Sequence, residues 1–359
     1  MKNNNYNKYQ LDQFGYYLDQ YLISKQYTHA PSTLNSNRSR CNQLKKNIGK
    51  IRIASISHSD INLLLNKMHK KLSNKTINEY LTILRDSFNI AKLNGVIAIN
   101  PTDGIKKLKT IRSEVFPFTK SELSIMAQTE TTRESERNLI LFNAVTGLRA
   151  SEIIASTWSN VDWEKKRLKV DIANVNKKMK VTKTLESDRF VELSEIAIAI
   201  LKKQYEITGH NKEETIDVIQ CDNKSLKRVK CQFIFVNSLT QKRFIDIKQF
   251  QSSFFTAFLK NLDISHRGPS QLRHTYASQC LTSGISKEWI AKQLGHTSTE
   301  MVTRHYGRWI PEDSPDYTSC SDRHMEDIFT NVNLQRPVAT ISKATNDDKA
   351  LFDKLANKP

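Results

Sequence analysis

The first hundred residues repeat one pattern, in which apolar side chains recur every three or four positions, as they do along one face of an α-helix. The stretches with this pattern are residues 9–24, the segment that starts at Pro31, residues 59–70, and Ser73 to Gly95. Asn100-Pro101 ends the series, because proline cannot continue a helix. The pattern predicts a compact domain of four helices over residues 9–102, preceded by a polar tail at residues 1–8.

The chain carries a large excess of positive charge. Lysine and arginine number 55 against 37 aspartates and glutamates, a formal net charge of +18. An excess of this size favours a polyanionic partner such as nucleic acid. Residues 103–118 are basic and indicate a linker suited to lie along a phosphate backbone. For each basic residue, the alternative is an ordinary solvated charge. The candidate DNA-contacting residues are Arg38, Arg40, Lys45, Lys46, Lys106, Lys107 and Lys109.

Composition disfavours several other classes of protein. No apolar run approaches the ~18–20 residues that a membrane-spanning helix needs. The polar N-terminus lacks the apolar stretch of a signal peptide. The five cysteines are scattered without a C-x-x-C pair, so neither a disulfide framework nor a zinc site is supported. We therefore expect a reduced, cytoplasmic protein with no metal, no cofactor and no membrane contact.

A second domain is predicted over residues 119–311. It opens with a capping box at Thr119–Glu122, and an apolar helix then ends at Gly147. Between Trp163 and Leu193 the apolar side chains alternate with a period of two, as in β-strands, and helical patterns return afterwards. The predicted fold class is mainly α with a small antiparallel β-sheet (α+β).

Two polar stretches interrupt or follow this pattern. Residues 207–231 indicate an exposed insertion. Residues 312–359 indicate a C-terminal tail with weak helical patches, which docks on a neighbour or is disordered.

Two arginines occupy positions where an arginine needs a specific partner. Arg149 lies just after Gly147 at the start of a new helix, where free backbone N–H groups suit a phosphate. The alternative for Arg149 is a structural ion pair with Glu152. Arg273 lies in the first turn of a half-apolar helix, and a buried arginine requires an anionic partner. The adjacent His274 fits a packed, hydrogen-bonded core histidine better than a catalytic one.

Tyr306 ends a short helical run that follows Gly295-His296. A tyrosine hydroxyl has an unperturbed pKa near ~10, so it becomes a useful nucleophile only where cations stabilise the developing charge. Lys183 lies in a turn between two predicted strands. Taken alone, Lys183 would be an ordinary loop lysine and Tyr306 a surface tyrosine.

Three sequence boxes together resemble the signature of phage-integrase-type tyrosine recombinases. They are Thr146-Gly147-Leu148-Arg149-Ala150-Ser151-Glu152, Gln271-Leu272-Arg273-His274-Thr275-Tyr276-Ala277-Ser278, and Leu294-Gly295-His296 followed by Tyr306. Thr182-Lys183-Thr184, followed by Ser187, Arg189 and Val191, is similar to the family's β-hairpin lysine segment, and Asn74 to Arg85 resembles its core-binding domain. The resemblance implies an N-terminal helical core-binding domain and a C-terminal catalytic domain.

The resemblance also implies a chemistry. Tyr306 attacks a DNA phosphate and leaves a 3′-phosphotyrosine and a free 5′-hydroxyl, so religation needs no ATP. Arg149, Arg273 and His296 stabilise the negative charge of the transition state. Lys183 protonates the leaving 5′ oxygen as a general acid. The cations take the place of a metal ion, and Glu152 and His274 are structural neighbours of the site.

Two features depart from the family pattern. The family usually has histidine three residues before the second arginine, where this chain has Ser270. A serine can hydrogen-bond a phosphate but is no cationic donor, so we expect retained but slower cleavage. Many such integrases also carry an arm-DNA-binding module before the core-binding domain. Only about ten residues precede the first predicted helix here, so we expect simple sites or a module outside this chain.

By resemblance, the chain is a site-specific recombinase that integrates or excises a prophage or other mobile element. The implied partner is double-stranded DNA carrying attachment sites, bound by a homotetramer on synapsed DNA. A monomer in solution and accessory DNA-bending proteins are compatible with this. The implied location is the nucleoid in the cytoplasm of a bacterial host. Two alternatives stay open, a catalytically weak or inactive DNA-binding regulator with this fold and a type IB topoisomerase-like nicking-closing enzyme.

Overall fold

The structure is a computed structural model that describes residues 9–110, 115–182, 188–306 and 318; at residues 305 and 306 it describes the helix but not the side chains. All of these residues except 318 belong to one compact unit. The C-terminal tail predicted at 312–359 therefore lies, apart from residue 318, outside the described residues.

The N-terminal part contains the four predicted helices. They are α1 (Phe14–Ser24), α2 (Pro31–Ile48), α3 (His58–His69) and α4 (Asn74–Leu93). Ser57 and Asp60 form a capping box at the start of α3, and the Ser73 hydroxyl caps α4, which satisfies N–H groups that have no partner within the helix. Phe14 stacks on Phe88 with 4.5 Å between ring centroids, joining α1 to α4 in a separate apolar core.

The first half of the linker is held against α4. The Asn78 amide donates to the carbonyl of Leu108 and accepts from its N–H, both at 2.8 Å. Arg85, two turns further along α4, donates to the carbonyl of Ile105 at 2.8 Å. The linker therefore follows a fixed path at this end, although it has no regular secondary structure there.

The C-terminal part combines helices with short strands. Its helices are α5 (Lys120–Gln128), α6 (Glu134–Thr146), α7 (Ala150–Ile153), α8 (Glu195–Thr208), α9 (Ile247–Phe250), α10 (Thr256–Asn261), α11 (Gln271–Thr282), α12 (Lys287–Leu294) and α13 (Thr299–Tyr306). A π-helical segment, Gln251–Phe255, joins α9 to α10. Its strands are β1 (Val161–Asp162), β2 (Arg167–Val170), β3 (Ile172–Val175), β4 (Lys178–Val181), β5 (Arg189–Glu192), β6 (Glu214–Ile219), β7 (Leu226–Cys231), β8 (Val236–Asn237) and β9 (Lys242–Arg243).

The predicted fold class, mainly α with small sheets, is confirmed, but the sheets differ in detail. Strands β1, β2 and β5 form one antiparallel sheet, and β8 pairs with β9. Strands β3, β4, β6 and β7 form a second sheet in which β4 and β6 run parallel, whereas we expected only antiparallel pairing. The parallel pair arises because the chain returns through α8 before it forms β6.

The segment at residues 207–231 is exposed in part, as predicted, since residues 221–228 are exposed, but the prediction missed its strands and its packed face. Strands β6 and β7 form a hairpin there, and Ile216, Val218 and Cys231 are buried in a small apolar cluster. The inward-facing residues alternate with charged ones, so the segment is polar on average even though one face packs. Because the segment is polar overall, the alternation of buried and exposed residues along its strands was not recognised from the sequence.

Helix α11 crosses the centre of the C-terminal part. Leu272 is fully buried in the main core, whereas Tyr276 and Ala277 belong to a smaller core with α12 and α13. The second half of the linker is attached to the same helix, because the N–H of Phe118 donates to the hydroxyl of Thr275 at 2.8 Å. The N–H of Phe116 donates to the side chain of Gln271, one turn earlier, at 3.2 Å.

Gly147 ends α6 in the left-handed region, with φ of 64°. A Cβ atom at this position would lie 2.4 Å from Cδ1 of Tyr276 and 2.8 Å from Cδ2 of Leu294. Two elements of the smaller core therefore pack directly on this glycine, and the turn that carries Arg149 depends on its lack of a side chain.

Gly147→Ala should consequently destabilise the protein more than a glycine replacement at an equally left-handed but open position. Gly95 provides that control, because its φ is 72° and no described atom lies within 4 Å of an added Cβ. Both replacements carry the left-handed penalty of ~1–2 kcal/mol. Gly147→Ala adds overpacking of ~1–3 kcal/mol. Urea denaturation measures both losses, and equal losses would contradict the close packing described here.

Candidate active site

The candidate site is built around the C-terminal end of α12. Gly295 ends this helix with φ of 66°, in the left-handed conformation that favours glycine. The last carbonyl groups of a helix have no partner within it and carry the negative end of the helix dipole. The end of α12 therefore attracts hydrogen-bond donors with positive charge.

Three arginines donate to three consecutive carbonyl groups at this helix end. Nε of Arg189 donates to Gln293 at 2.8 Å, Nη2 of Arg273 to Leu294 at 2.7 Å, and Nη2 of Arg149 to Gly295 at 3.1 Å. The arginines come from β5, from α11 and from the residue before α7, so one helix end brings three distant parts of the chain together.

Arg149 fits both of the interpretations drawn from the sequence. Its Nη1 donates to Oε1 of Glu152 at 2.7 Å, so the structural ion pair is present. Its side chain nevertheless remains 35% exposed, while Glu152 is only 3% exposed. Arg149 is therefore held by protein on one side and accessible to a ligand on the other.

Glu152 is a buried carboxylate that lies between two arginines. Nη2 of Arg189 donates to its Oε2 at 3.0 Å, and Arg149 contacts its Oε1. Burial alone would raise the pKa of Glu152, but the charges and hydrogen bonds of Arg189 and Arg149 outweigh burial and lower its pKa to about 2. Glu152 is therefore ionised at neutral pH.

Arg273 is buried and joins three groups of the site. Besides the bond to Leu294, its Nη1 donates to the carbonyl of Gly147 at 2.8 Å. Its Nη2 also lies 3.1 Å from Nε2 of His296, which is half-buried. We expected an anionic partner for this arginine, and the contacts described here are backbone carbonyls and a histidine. Carbonyl oxygens hold the guanidinium in place without cancelling its charge.

Two further residues named from the sequence lie at or beside α11. Ser270 is exposed and immediately precedes the helix, three residues before Arg273. His274 is half-buried, rather than fully enclosed in the core.

Tyr306 is the last residue of α13, and its side chain lies outside the described part of the structure. Helix α13 is fixed by Val302, which is fully buried in the smaller core with Tyr276 and Leu294. Helix α13 therefore packs on α11, which carries Arg273, and on α12, which ends shortly before His296. Lys183 lies outside the described residues, in the segment between β4 and β5.

The predicted DNA-contacting residues fall into two groups. Arg40 is paired with Glu79, and Lys45 with the buried carboxylate of Asp19. These two side chains have internal partners, so a phosphate would have to compete for them. The other five are exposed; they are Arg38, Lys46, Lys106, Lys107 and Lys109.

The described residues contain neither a metal-binding cluster nor a membrane-spanning helix. Within these residues, no group of three or more His, Cys, Asp and Glu side chains is arranged to hold a metal ion. No helix among the described residues has the length and apolar character needed to cross a membrane.

Comparison with protein families identifies the chain. The model of the phage integrase family matches residues 117–310, which is more than half of the 359 residues. The chain belongs to the phage integrase family. The model of the phage integrase SAM-like domain matches residues 13–109, so both parts of the chain match known families.

Individual relatives agree with this assignment. The prophage integrase IntR of Escherichia coli is 30% identical over 247 residues, which are 66% of this chain and 58% of IntR. The chain thus spans less than two thirds of that relative's length. A structure of the Tn1549 transposon integrase in complex with a circular intermediate DNA matches with a TM-score of 0.67 at 19% identity, covering 88% of this chain and 99% of the other. A structure of a lambda integrase tetramer bound to a Holliday junction matches with a TM-score of 0.60 at 18% identity, covering 80% and 78%.

One residue of the candidate site, Arg189, was not assigned a role from the sequence. The strand pattern contained a signal for it, because Arg189 and Val191 lie on the same, inward face of β5 while Phe190 and Glu192 face outward. An arginine at an inward strand position requires a buried partner. The sequence did not indicate which one, since Glu152 lies 37 residues away.

Proposed function

We propose that this phage integrase cuts and rejoins DNA by transesterification. The hydroxyl of Tyr306 attacks a phosphodiester, the Tyr306 O–P bond forms, and the bond from phosphorus to the 5′ oxygen breaks. The products are a 3′-phosphotyrosine and a free 5′-hydroxyl. The reverse attack by a 5′-hydroxyl restores a DNA strand without an external energy source, because each step breaks one phosphate ester bond and forms another.

One observation carries the proposal. Arg149, Arg273 and His296, which are distant in sequence, contact one another or neighbouring carbonyls at the end of α12, and α13, which packs with α11 and α12 in the smaller core, has Tyr306 as its last residue. A phosphate bound at this point would meet two permanent positive charges. Such charges stabilise the negative charge that develops on the non-bridging oxygens.

The remaining roles follow from this arrangement and from the resemblance described above. His296 donates a hydrogen bond to the phosphate, and Lys183 protonates the leaving 5′ oxygen. Ser270 occupies the usual histidine position and contributes at most a neutral hydrogen bond. Glu152 fixes Arg149 and does not contact the phosphate.

We propose double-stranded DNA at the attachment sites of a prophage or other mobile element as the substrate. The exposed basic residues of the helical domain and linker would contact the DNA backbone, because each neutralised phosphate releases counterions. We further propose a homotetramer on synapsed DNA; the fold match to a lambda integrase tetramer on a Holliday junction supports that assembly. The cytoplasm of a bacterial host, at the nucleoid, is the proposed location.

The test uses DNA from the flanks of the integrase gene. Wild type and Tyr306→Phe are incubated with labelled fragments, and protein–DNA adducts that survive denaturation are resolved by gel electrophoresis. We expect an adduct with wild type and none with Tyr306→Phe, because phenylalanine lacks the attacking oxygen. Retained binding of the same fragments by Tyr306→Phe is the control for folding. If wild type forms no Tyr306-dependent adduct, the proposed activity is wrong.

A further inference from the structure

Arg189 connects two parts of the site that the proposed chemistry needs in one arrangement. We infer that Arg189 is a positioning residue, which holds Arg149 and the end of α12 together through Glu152 and the carbonyl of Gln293. This inference rests on the proposed function, because its consequence is a rate of DNA cleavage. Arg189 itself is buried and has no contact with the phosphate in the proposed mechanism.

The first contact fixes the carboxylate that orients Arg149. Oε1 of Glu152 accepts from Nη1 of Arg149 at 2.7 Å and from Nη1 of Arg189 at 3.3 Å. Oε2 accepts from the backbone N–H of Arg149 at 2.9 Å and from Nη2 of Arg189 at 3.0 Å. Each oxygen of Glu152 is thus shared by both arginines. Without Arg189, Glu152 could rotate and carry the Arg149 guanidinium with it.

The second contact fixes the helix end that carries His296. Nε of Arg189 donates to the carbonyl of Gln293 at 2.8 Å. The carbonyl two residues later, at Gly295, receives Nη2 of Arg149 at 3.1 Å, and His296 comes next in the chain. Arg189 therefore positions the partners of both terminal nitrogens of the Arg149 guanidinium, that of Nη1 through Glu152 and that of Nη2 through the position of Gly295.

The strand of Arg189 is attached to α12 at a second point, which makes this bridge rigid. The N–H of Glu192, at the other end of β5, donates to Oε1 of Gln293 at 3.0 Å. Gln293 thus contacts β5 through both its backbone and its side chain.

The geometry requires arginine rather than any cation. The planar guanidinium places Nη1 and Nη2 on the two oxygens of Glu152 while Nε points to Gln293. A lysine offers one ammonium group on a flexible stem. Arg189→Lys would keep the charge next to Glu152 but would lose the contact that joins it to α12.

The experiment compares Arg189→Met and Arg189→Lys with wild type in the full chain. The measured quantity is the single-turnover rate of adduct formation on a nicked DNA substrate at saturating protein, with the DNA Kd measured separately. We expect Arg189→Met to lower the rate about 100-fold, the effect of misplacing a reacting group by ~1 Å. The Kd should not change, and Arg189→Lys should restore part of the rate.

Arg167→Met is the matched control. Arg167 lies on β2, the neighbour of β5 in the same sheet, where it pairs with Asp162 at 2.9 Å and stacks on the Phe190 ring at 4.1 Å. Arg167→Met removes an arginine from the same sheet without touching the end of α12. It should leave the adduct rate at the wild-type level.

A double variant separates positioning from a loss of folding. Arg189→Met alone would leave the buried Glu152 carboxylate without one of its two arginine partners. Arg189→Met/Glu152→Gln removes that negative charge, so the double variant should melt at a higher temperature than Arg189→Met. If Arg189 and Glu152 act as one unit, the double variant should cleave no more slowly than the slower single variant. Rate losses that multiply would contradict a shared role.

The outcomes distinguish this inference from the proposed function. If wild type forms the Tyr306 adduct and Arg189→Met forms it at the wild-type rate, Arg189 has no positioning role and the proposed function stands. If Arg189→Met loses DNA binding and rate together, while its far-ultraviolet circular dichroism is native, the role lies in binding and the inference is wrong. If wild type forms no adduct, both fail.

Discussion

Replacing Arg273 by alanine should lower the rate of adduct formation by ~100- to 1000-fold, the cost of removing one preorganised donor from a site that stabilises developing negative charge. Two effects add in this variant. The guanidinium that would face the phosphate is lost, and the carbonyls of Gly147 and Leu294 lose the group that holds them near His296. Single-turnover cleavage of a nicked DNA substrate measures the rate.

Arg133→Ala is the control for general destabilisation. Arg133 pairs with the buried carboxylate of Glu136 and lies over the ring of Phe254. It precedes α6, whereas Gly147 and the site lie at the other end of that helix, ~20 Å away for 13 residues. We expect Arg133→Ala to lower the melting temperature and leave the adduct rate unchanged. Equal rates for Arg273→Ala and Arg133→Ala would contradict a catalytic role for Arg273.

Replacing Glu152 by alanine should lower both the stability of the protein and the rate of adduct formation. Glu152 is 3% exposed and its removal leaves the buried Arg189 without its carboxylate. Breaking a buried ion pair by deleting one partner costs ~3–5 kcal/mol. The adduct rate should fall as well, since Arg149 loses two of its contacts. Glu136→Ala, at a fully buried carboxylate away from the site, should match the stability loss but retain the rate.

Glu152 also predicts a dependence of stability on pH. Its pKa is about 2 in the folded protein and near 4.5 ordinarily, so the unfolded chain binds the proton more tightly. The stabilisation is therefore complete above pH 4.5 and is lost as the pH falls toward 2. Glu152→Gln cannot titrate, so the difference in unfolding free energy between wild type and Glu152→Gln should shrink from pH 6 to pH 3. A difference that stays constant would show that the Arg149–Glu152–Arg189 contacts do not stabilise the ionised carboxylate.

Helices with a clear apolar period could be predicted from the sequence, together with their caps. The fold class followed from these helices and from the change of period after Trp163. The β6–β7 hairpin could not be predicted from the sequence, because its buried residues alternate with charged residues in a segment that is polar overall. The break at Asp171 was also missed, since one run of alternating residues supplies β2 to one sheet and β3 to another.

The candidate site could be predicted from the sequence only through the resemblance to a family. Arg149, Arg273 and His296 lie up to 147 positions apart in the numbering, and no local pattern places them together. What brings them together is the end of α12, whose carbonyls each receive one arginine. Backbone carbonyls carry no sequence signal, so the role of Gln293 and the third arginine, Arg189, emerged only from the fold.

The most direct test of Tyr306 as the nucleophile is the chemical identity of the adduct. The adduct formed on a nicked substrate would be digested with nuclease and trypsin, and the modified peptide sequenced by mass spectrometry. Cleavage after Arg304 and Arg308 gives the short peptide His305-Tyr306-Gly307-Arg308. We expect this peptide to carry a nucleotide joined through its 3′-phosphate to Tyr306. A nucleotide on any other residue, or one joined through a 5′-phosphate, would contradict the mechanism.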